Sequence, residues 1–171
     1  VRRVQHRYGQ LRSQVGDLWL PEWPAVDAVP VVVLIHGGWW RSPYSKGLMN
    51  RMARAVVSEG WAVWNIEYRR IGLAGGGGGW PHTFDDVGDA VDHLAALPGV
   101  DASRVVTCGP SAGGLLALWA LSRCHRHQPE AGSGSIVRPV GAVSLGGVVD
   151  LEFVRSLASA RSAPVRLPVP T

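Results

Sequence analysis

Gly109-Pro110-Ser111-Ala112-Gly113 fits the pattern GxSxG, and His36-Gly37-Gly38-Trp39-Trp40 is a glycine-rich turn. The chemistry open to such a pair is acyl transfer. A serine hydroxyl exposed on a tight turn can attack a carbonyl carbon, and glycine-rich backbone can aim N–H groups at the oxygen that becomes negative. Ser111 is the candidate nucleophile; the alternative is a serine that merely caps a helix. The amides of Gly38, Trp39 and Ala112 are the candidate oxyanion donors, and Ala112 opens a helix, where the dipole adds positive potential. In a chain with 22 glycines the GxSxG string alone is weak. Its setting is more specific: it follows an apolar strand and opens an apolar helix, and the flanking glycines avoid collision with both.

The elements that must position these residues are legible as apolar runs. Strands are predicted at 31–35 (Val-Val-Val-Leu-Ile), 62–66, 104–108 and 140–145, near-continuously apolar as in a parallel sheet covered on both faces. Between them a helix from Lys46 to Glu59 is predicted, with Ser45 as N-cap and Gly60 as stop. A second opens at Thr83, with Asp86 completing a near-capping box, and stops at Pro98-Gly99. A third runs from Ala112 to about Arg123, and a fourth begins at Asp150. Alternating strands and helices predict right-handed βαβ units in a doubly wound α/β sheet. Segments 4–8 and 15–20 read as an antiparallel opening hairpin. Gly75 to Gly79 reads as a flexible solvent loop, 125–139 as a surface connection, and the chain after Ala160 as an irregular, proline-rich tail.

With 171 residues, 46% of them hydrophobic, the chain suits one globular domain. A net charge of +4 raises the question of nucleic acid, but Lys46 is the single lysine and the arginines are scattered, so no nucleic-acid partner is expected. No run reaches the roughly 18 apolar residues of a membrane span, no membrane partner is expected, and a cytoplasmic location is favoured. Cys108 on a strand and Cys124 at a helix end are too far apart for a disulfide. No Cys or His cluster has metal spacing, so neither metal nor cofactor is expected. A nucleotide site is excluded too: the five-glycine run never completes GxGxxG, and Lys46 stands in no phosphate-loop string.

The two motifs, each at the end of its own buried strand, resemble the α/β-hydrolase fold, in particular its esterase, lipase and kynurenine formamidase-like branch with an HGGxW loop. Glu67-Tyr68-Arg69-Arg70 and Trp80-Pro81 leading into Phe84-Asp85-Asp86-Val87 also look like that branch, and the likeness covers roughly residues 15 to 155. It implies a three-layer α/β sandwich with a mostly parallel sheet, and His36 as a support of the loop rather than a catalytic base. It also implies a serine hydrolase of carboxylic esters or small amides; esterase, arylformamidase and prolyl oligopeptidase-like peptidase chemistries all fit the same motifs. In that family an acid and then a histidine follow the nucleophile. Here no histidine lies beyond His127, and His125 and His127 follow the helix that leads away from Ser111. Asp150 reads as a helix cap, or as the triad acid; His82 as an exposed loop residue, or as part of a pocket wall. Trp39, Trp40, Trp64 and Trp80 read as an aromatic-friendly pocket or as core. About six strands of the eight usual in this fold are visible, so the chain is expected to be truncated at its C-terminal side, with 140–145 as an uncovered, aggregation-prone edge. The rival reading is a non-catalytic pseudo-hydrolase remnant.

Overall fold

A computed structural model describes residues 1–22, 28–72, 74–123 and 137–152. The chain opens with β1 (Arg2–Arg7) and β2 (Val15–Leu20), paired antiparallel as the hairpin predicted from the sequence. Then come β3 (Val29–Ile35), a 3-10 turn (Lys46–Met49) running into α1 (Asn50–Ser58), and β4 (Ala62–Ile66). The remaining elements are α2 (His82–Asp92), continued by a 3-10 turn (His93–Ala96), β5 (Val100–Pro110), α3 (Ala112–Ser122) and β6 (Gly141–Leu145).

The sheet order is β1-β2-β4-β3-β5-β6, with β4, β3, β5 and β6 mutually parallel and β2 antiparallel to β4. The alternation of side chains along β3 explains why the sheet is covered twice. Val31, Val33 and Ile35 pack in one core with Trp64, Phe84, Val87 and Leu116, beneath α2 and α3. Leu34 faces the other way, into a smaller core with Trp19, Met49, Ala53, Val57 and Val63 beneath α1. The result is the three-layer α/β sandwich with a mostly parallel, six-stranded sheet. Chain order also reverses at β3: β4 is added on one side of it and β5 on the other. In open parallel sheets that reversal leaves a crevice beyond the strands' carboxyl ends. His36 leaves β3 there, and Ser111 leaves β5.

Several local expectations are corrected. The helix predicted from Lys46 to Glu59 begins as a 3-10 turn, and Ser45 makes no side-chain cap bond. The Thr83–Asp86 capping box does not form, because both side chains are fully buried and used elsewhere. Thr83 Oγ1 donates to Arg69 O (2.6 Å) and accepts from Gly79 N (2.9 Å). Asp86 accepts from the Arg69 amide (2.7 Å), from its guanidinium (2.7 Å at Nη2) and from Gln14 Nε2 (2.8 Å). Long-range partners outcompeted the local cap. His82 is the first residue of α2 rather than part of a loop, and is exposed as expected.

The predicted open loop at Gly75–Gly79 is instead folded back on the chain. Arg70 N donates to Gly75 O (2.6 Å) and Gly78 N to Arg70 O (2.9 Å), and a Cβ on Gly75 would sit 1.9 Å from Arg70 O. Of the 125–139 connection only its end is described, and Val137 there is buried and bonded through its amide to Asp92 rather than lying on the surface. β5 extends beyond the predicted 104–108 at both ends, because Val100 pairs with Val29 across a register shift and Gly109 and Pro110 pair with Ser144 and Leu145 of β6. β6 pairs with β5 and, among the described residues, with no second strand; Val143 and Leu145 stand 44% and 41% exposed on it. Cys108 is a free, buried thiol; Cys124, His125, His127 and the tail after Ala160 lie outside the described residues.

The Arg69–Asp86 pair ties the loop after β4 to α2, and Gln14 adds the β1–β2 turn. Removing the cation would leave a fully buried carboxylate short of its donors. Arg69→Met is expected to lower the unfolding free energy by about 3 kcal/mol, measured by urea denaturation; a loss below about 1 kcal/mol would show that the pair does not hold these segments together.

Candidate active site

The two motif turns meet because their backbones approach more closely than side chains allow. A Cβ on Gly113 would lie 2.0 Å from Ile35 O, and one on Gly37 would lie 2.7 Å from Pro110 O and 3.4 Å from the Ser111 Cβ. Glycine at these positions lets the end of β3 lie directly on the turn between β5 and α3. Ser111 itself has φ 52° and ψ −120°, a conformation that L-residues rarely adopt. It is held there from both sides: Ser111 N donates to Leu145 O (3.0 Å), while Ser111 O accepts from Gly114 N (3.0 Å) and Val148 N (3.2 Å). Its side chain makes no cap hydrogen bond to α3, so the capping alternative does not describe it.

Across from it, Gly38, Trp39 and Trp40 all have positive φ, at 112°, 54° and 56°. This turn is pinned by Arg41 N donating to Gly38 O (3.0 Å) and Ile71 N to Trp40 O (2.7 Å). Tyr44 packs against the Gly38 Cα, where a Cβ would fall 2.3 Å from Tyr44 Cγ. Among the described residues the amides of Gly38, Trp39 and Ala112 find no protein acceptor. Ala112 is also the first residue of an eleven-residue helix. The site therefore gathers Ser111, Gly38, Trp39 and Ala112 at one edge of the sheet.

The tryptophans divide. Trp40 and Trp64 are core, 1% and 0% exposed, and Trp64 Nε1 donates to Ala90 O (2.8 Å). Trp80 stacks edge-on against Phe84, and only Trp39, 44% exposed, presents its ring to solvent beside the turn. Asp150 lies exposed beyond β6, just before the last described helical residues. None of the histidines among the described residues serves Ser111: His6 and His93 lie against Trp64, His82 faces Asp85, and His36 is buried against Glu67.

His36 supports the HGG turn as the resemblance implied, with Nδ1 2.7 Å from Gly37 O, but sequence reading missed the partners that hold it. His36 Nε2 bonds to Glu67 Oε1 (2.9 Å), its ring stacks on Tyr68 at 4.2 Å, and the Tyr68 hydroxyl donates to His36 O (2.7 Å). Glu67 Oε2 accepts from the Lys46 amide (3.1 Å). Burial works to raise the Glu67 carboxyl, but the His36 hydrogen bond and charge, with Arg70 beside it, hold it below the ordinary carboxylate range. Burial keeps the Tyr68 phenol protonated well above its ordinary range, so it remains a donor. The signal in the sequence is a run rich in charge, Glu67 to Arg70, attached directly to a largely apolar buried strand. Among the described residues no three His, Cys, Asp or Glu side chains cluster as metal ligands, and no helix is long and apolar enough to cross a membrane.

A sheet reversal that brings a strained serine against a glycine-rich turn defines the class: an α/β-hydrolase fold of the esterase type. The chain belongs to the BD-FAE family, whose model matches residues 17–160. Among solved structures it is similar to esterase B of Lactobacillus rhamnosis inhibited by a tributyrin phosphonate, with a TM-score of 0.74 and 23% identity over 90% of this chain and 52% of that one. It is also similar to a bifunctional GH43-CE protein of Bacteroides eggerthii, with a TM-score of 0.59 and 29% identity over 67% of this chain and 15% of that one. Non-reducing polyketide synthase Preu6 of Preussia isomera is 30% identical over 131 residues, 68% of this chain and 6% of that protein. The chain thus spans about half the length of the esterase B structure and a small part of the other two.

The strain at Ser111 has a measurable cost. Ser111→Gly is expected to raise the unfolding free energy by about 1 kcal/mol, because glycine adopts this conformation freely, whereas Ser111→Ala keeps the strain and gains nothing. Thermal unfolding of the two variants side by side checks this, and equal midpoints would contradict it.

Proposed function

We propose that this chain carries the nucleophile and oxyanion half of a serine esterase acting on small carboxylic esters or amides. The observation that carries this reading is Ser111 at φ 52°, ψ −120°, seated between the carboxyl ends of β3 and β5 with unpaired amides facing the same edge. In this mechanism Ser111 Oγ attacks the substrate carbonyl carbon and the carbonyl π pair moves onto oxygen. The amides of Gly38, Trp39 and Ala112 hold that oxyanion. Collapse of the tetrahedral intermediate expels the alcohol or amine and leaves an acyl-Ser111 ester, which water hydrolyses to the acid and free serine. A backbone-built oxyanion site needs no lysine or arginine side chain, which agrees with the lack of either in both motifs.

Proton removal from Ser111 requires a base, and no histidine among the described residues stands beside it. That observation supports a second reading, a chain that forms the acyl-binding edge but turns over little. Loss of the base in a serine hydrolase lowers kcat by roughly 10⁴- to 10⁶-fold while the oxyanion site and strained serine persist. Labelling separates these readings from an inert serine. A fluorophosphonate is expected to phosphonylate Ser111 stoichiometrically, with no adduct in Ser111→Ala, read by intact-mass and peptide mass spectrometry. Fast labelling together with hydrolysis of p-nitrophenyl acetate supports the working esterase; slow labelling without turnover supports the second reading. No adduct, or one on another residue, defeats both.

A further inference from the structure

The His36 ring is wholly buried, and each of its nitrogens faces an oxygen that can only accept. Nδ1 lies 2.7 Å from Gly37 O and Nε2 lies 2.9 Å from Glu67 Oε1. The one nearby hydroxyl cannot change this count. Tyr68 OH is 3.4 Å from Nδ1, but its single hydrogen is directed to His36 O at 2.7 Å. A neutral imidazole carries one N–H, so it would set a lone pair against one of the two oxygens. Two acceptors at hydrogen-bond distance call for two N–H groups, and the ring that has them is the cation.

The surroundings fit a buried charge pair. The Glu67 carboxylate also receives the Tyr68 amide (3.2 Å) and the Lys46 amide (3.1 Å), with Arg70 Nε 3.4 Å away, as expected of an ionised acceptor with several donors. The other charged or titratable groups facing the pair are accounted for. Lys46 turns its Nζ to Asp17, and Tyr8, from the β1–β2 turn, donates its hydroxyl to Glu67 O (2.6 Å). The pair also stands at a particular place: the carbonyl that His36 Nδ1 grips belongs to Gly37, and the next two amides in the chain are those of Gly38 and Trp39.

We propose that Glu67 is a positioning residue of this site: it holds His36 as a buried imidazolium whose two N–H groups clamp Gly37 O to the end of β4, and so fixes the Gly38 and Trp39 amides. The clamp rests on the reading of those amides as oxyanion donors; the charge state of His36 does not. Glu67 touches no substrate in this arrangement. Its effect passes through the ring to the peptide plane of Gly37, and the positive ring adds favourable potential beside the site where negative charge develops.

The test uses the whole 171-residue chain. ¹⁵N NMR of the imidazoles near neutral pH, with His36 assigned through its backbone, is expected to show both of its ring nitrogens protonated; one unprotonated nitrogen overturns the proposal without any variant. Glu67→Gln is expected to remove that signature, shift the Gly38 and Trp39 amide resonances and slow fluorophosphonate labelling of Ser111 about tenfold. Glu67→Asp, which keeps the charge, is expected to restore the signature and most of the labelling rate. A folded Glu67→Gln protein with reduced stability, but unchanged amide resonances, overturns the positioning role and leaves a structural one. If the parent chain is not labelled at all, the nucleophile reading falls, and the two resonance measurements alone decide the role of Glu67.

Discussion

The contact between the end of β3 and the β5–α3 turn is the constraint on which the rest of the molecule depends. With Gly113 backed onto Ile35 O and Gly37 onto Pro110 O, two peptide segments touch where any side chain would hold them apart. That approach requires adjacent parallel strands ending at the same level, which the β3–β5 ladder supplies through Val31–Val105 to Leu34–Cys108. Parallel neighbours in turn require crossovers, and α1, α2 and the apolar α3 supply them while burying both faces of the sheet. The strain at Ser111 is tolerated because its hydrogen bonds, donated to Leu145 O and accepted from Gly114 N and Val148 N, hold that residue in place.

Around this apolar centre the chain places charge where an isolated ion would be costly. Asp86 is fully buried, yet it binds the backbone amide and guanidinium of Arg69 and the carboxamide of Gln14, drawn from two other segments. Asp17, also buried, is shared by Arg3 and Lys46. Glu67 joins His36, the start of the 3-10 turn and the loop after β4. Such pairs add little to stability over a well-packed apolar alternative, but each is satisfied by only one arrangement of its partners. They therefore fix how the loops on the β3 and β4 ends lie against one another, which apolar packing alone leaves loose.

The sequence was most readable where the signal is local. Val31 to Ile35 and Ala62 to Ile66 formed strands at the predicted limits or close to them, and Gly109 to Gly113 formed the expected strand–turn–helix because the requirement for glycine is written into adjacent positions. Reading failed where a residue's partner is remote. Thr83 and Asp86 have the spacing of a cap, yet Asp86 meets Gln14, far away in sequence. Ser45 has the residue type of a cap, but its helix starts as a 3-10 turn. The five glycines from Gly75 look like an open linker, yet Gly75 and Gly78 fold against the Arg69–Ile71 backbone with no room for a side chain, and Gly76, Gly77 and Gly79 have positive φ. In the site, the two motifs were visible, but the pairing of His36 with Glu67 was not, since nothing at either position announces the other. Two of the four marked tryptophans belonged to the core because hydrophobic size does not encode direction.

The backbone contact at Gly37 and Gly113 joins positions far apart along the chain, with β4, α2 and β5 between them. The unusual conformation of Ser111 thus depends on contacts that close a long loop. An unfolded, nascent or misassembled copy carries at position 111 a serine like any other, conformationally relaxed and with no donors around it. On the proposed reading of Ser111, reactivity at that hydroxyl is in this sense a report on the completed sheet.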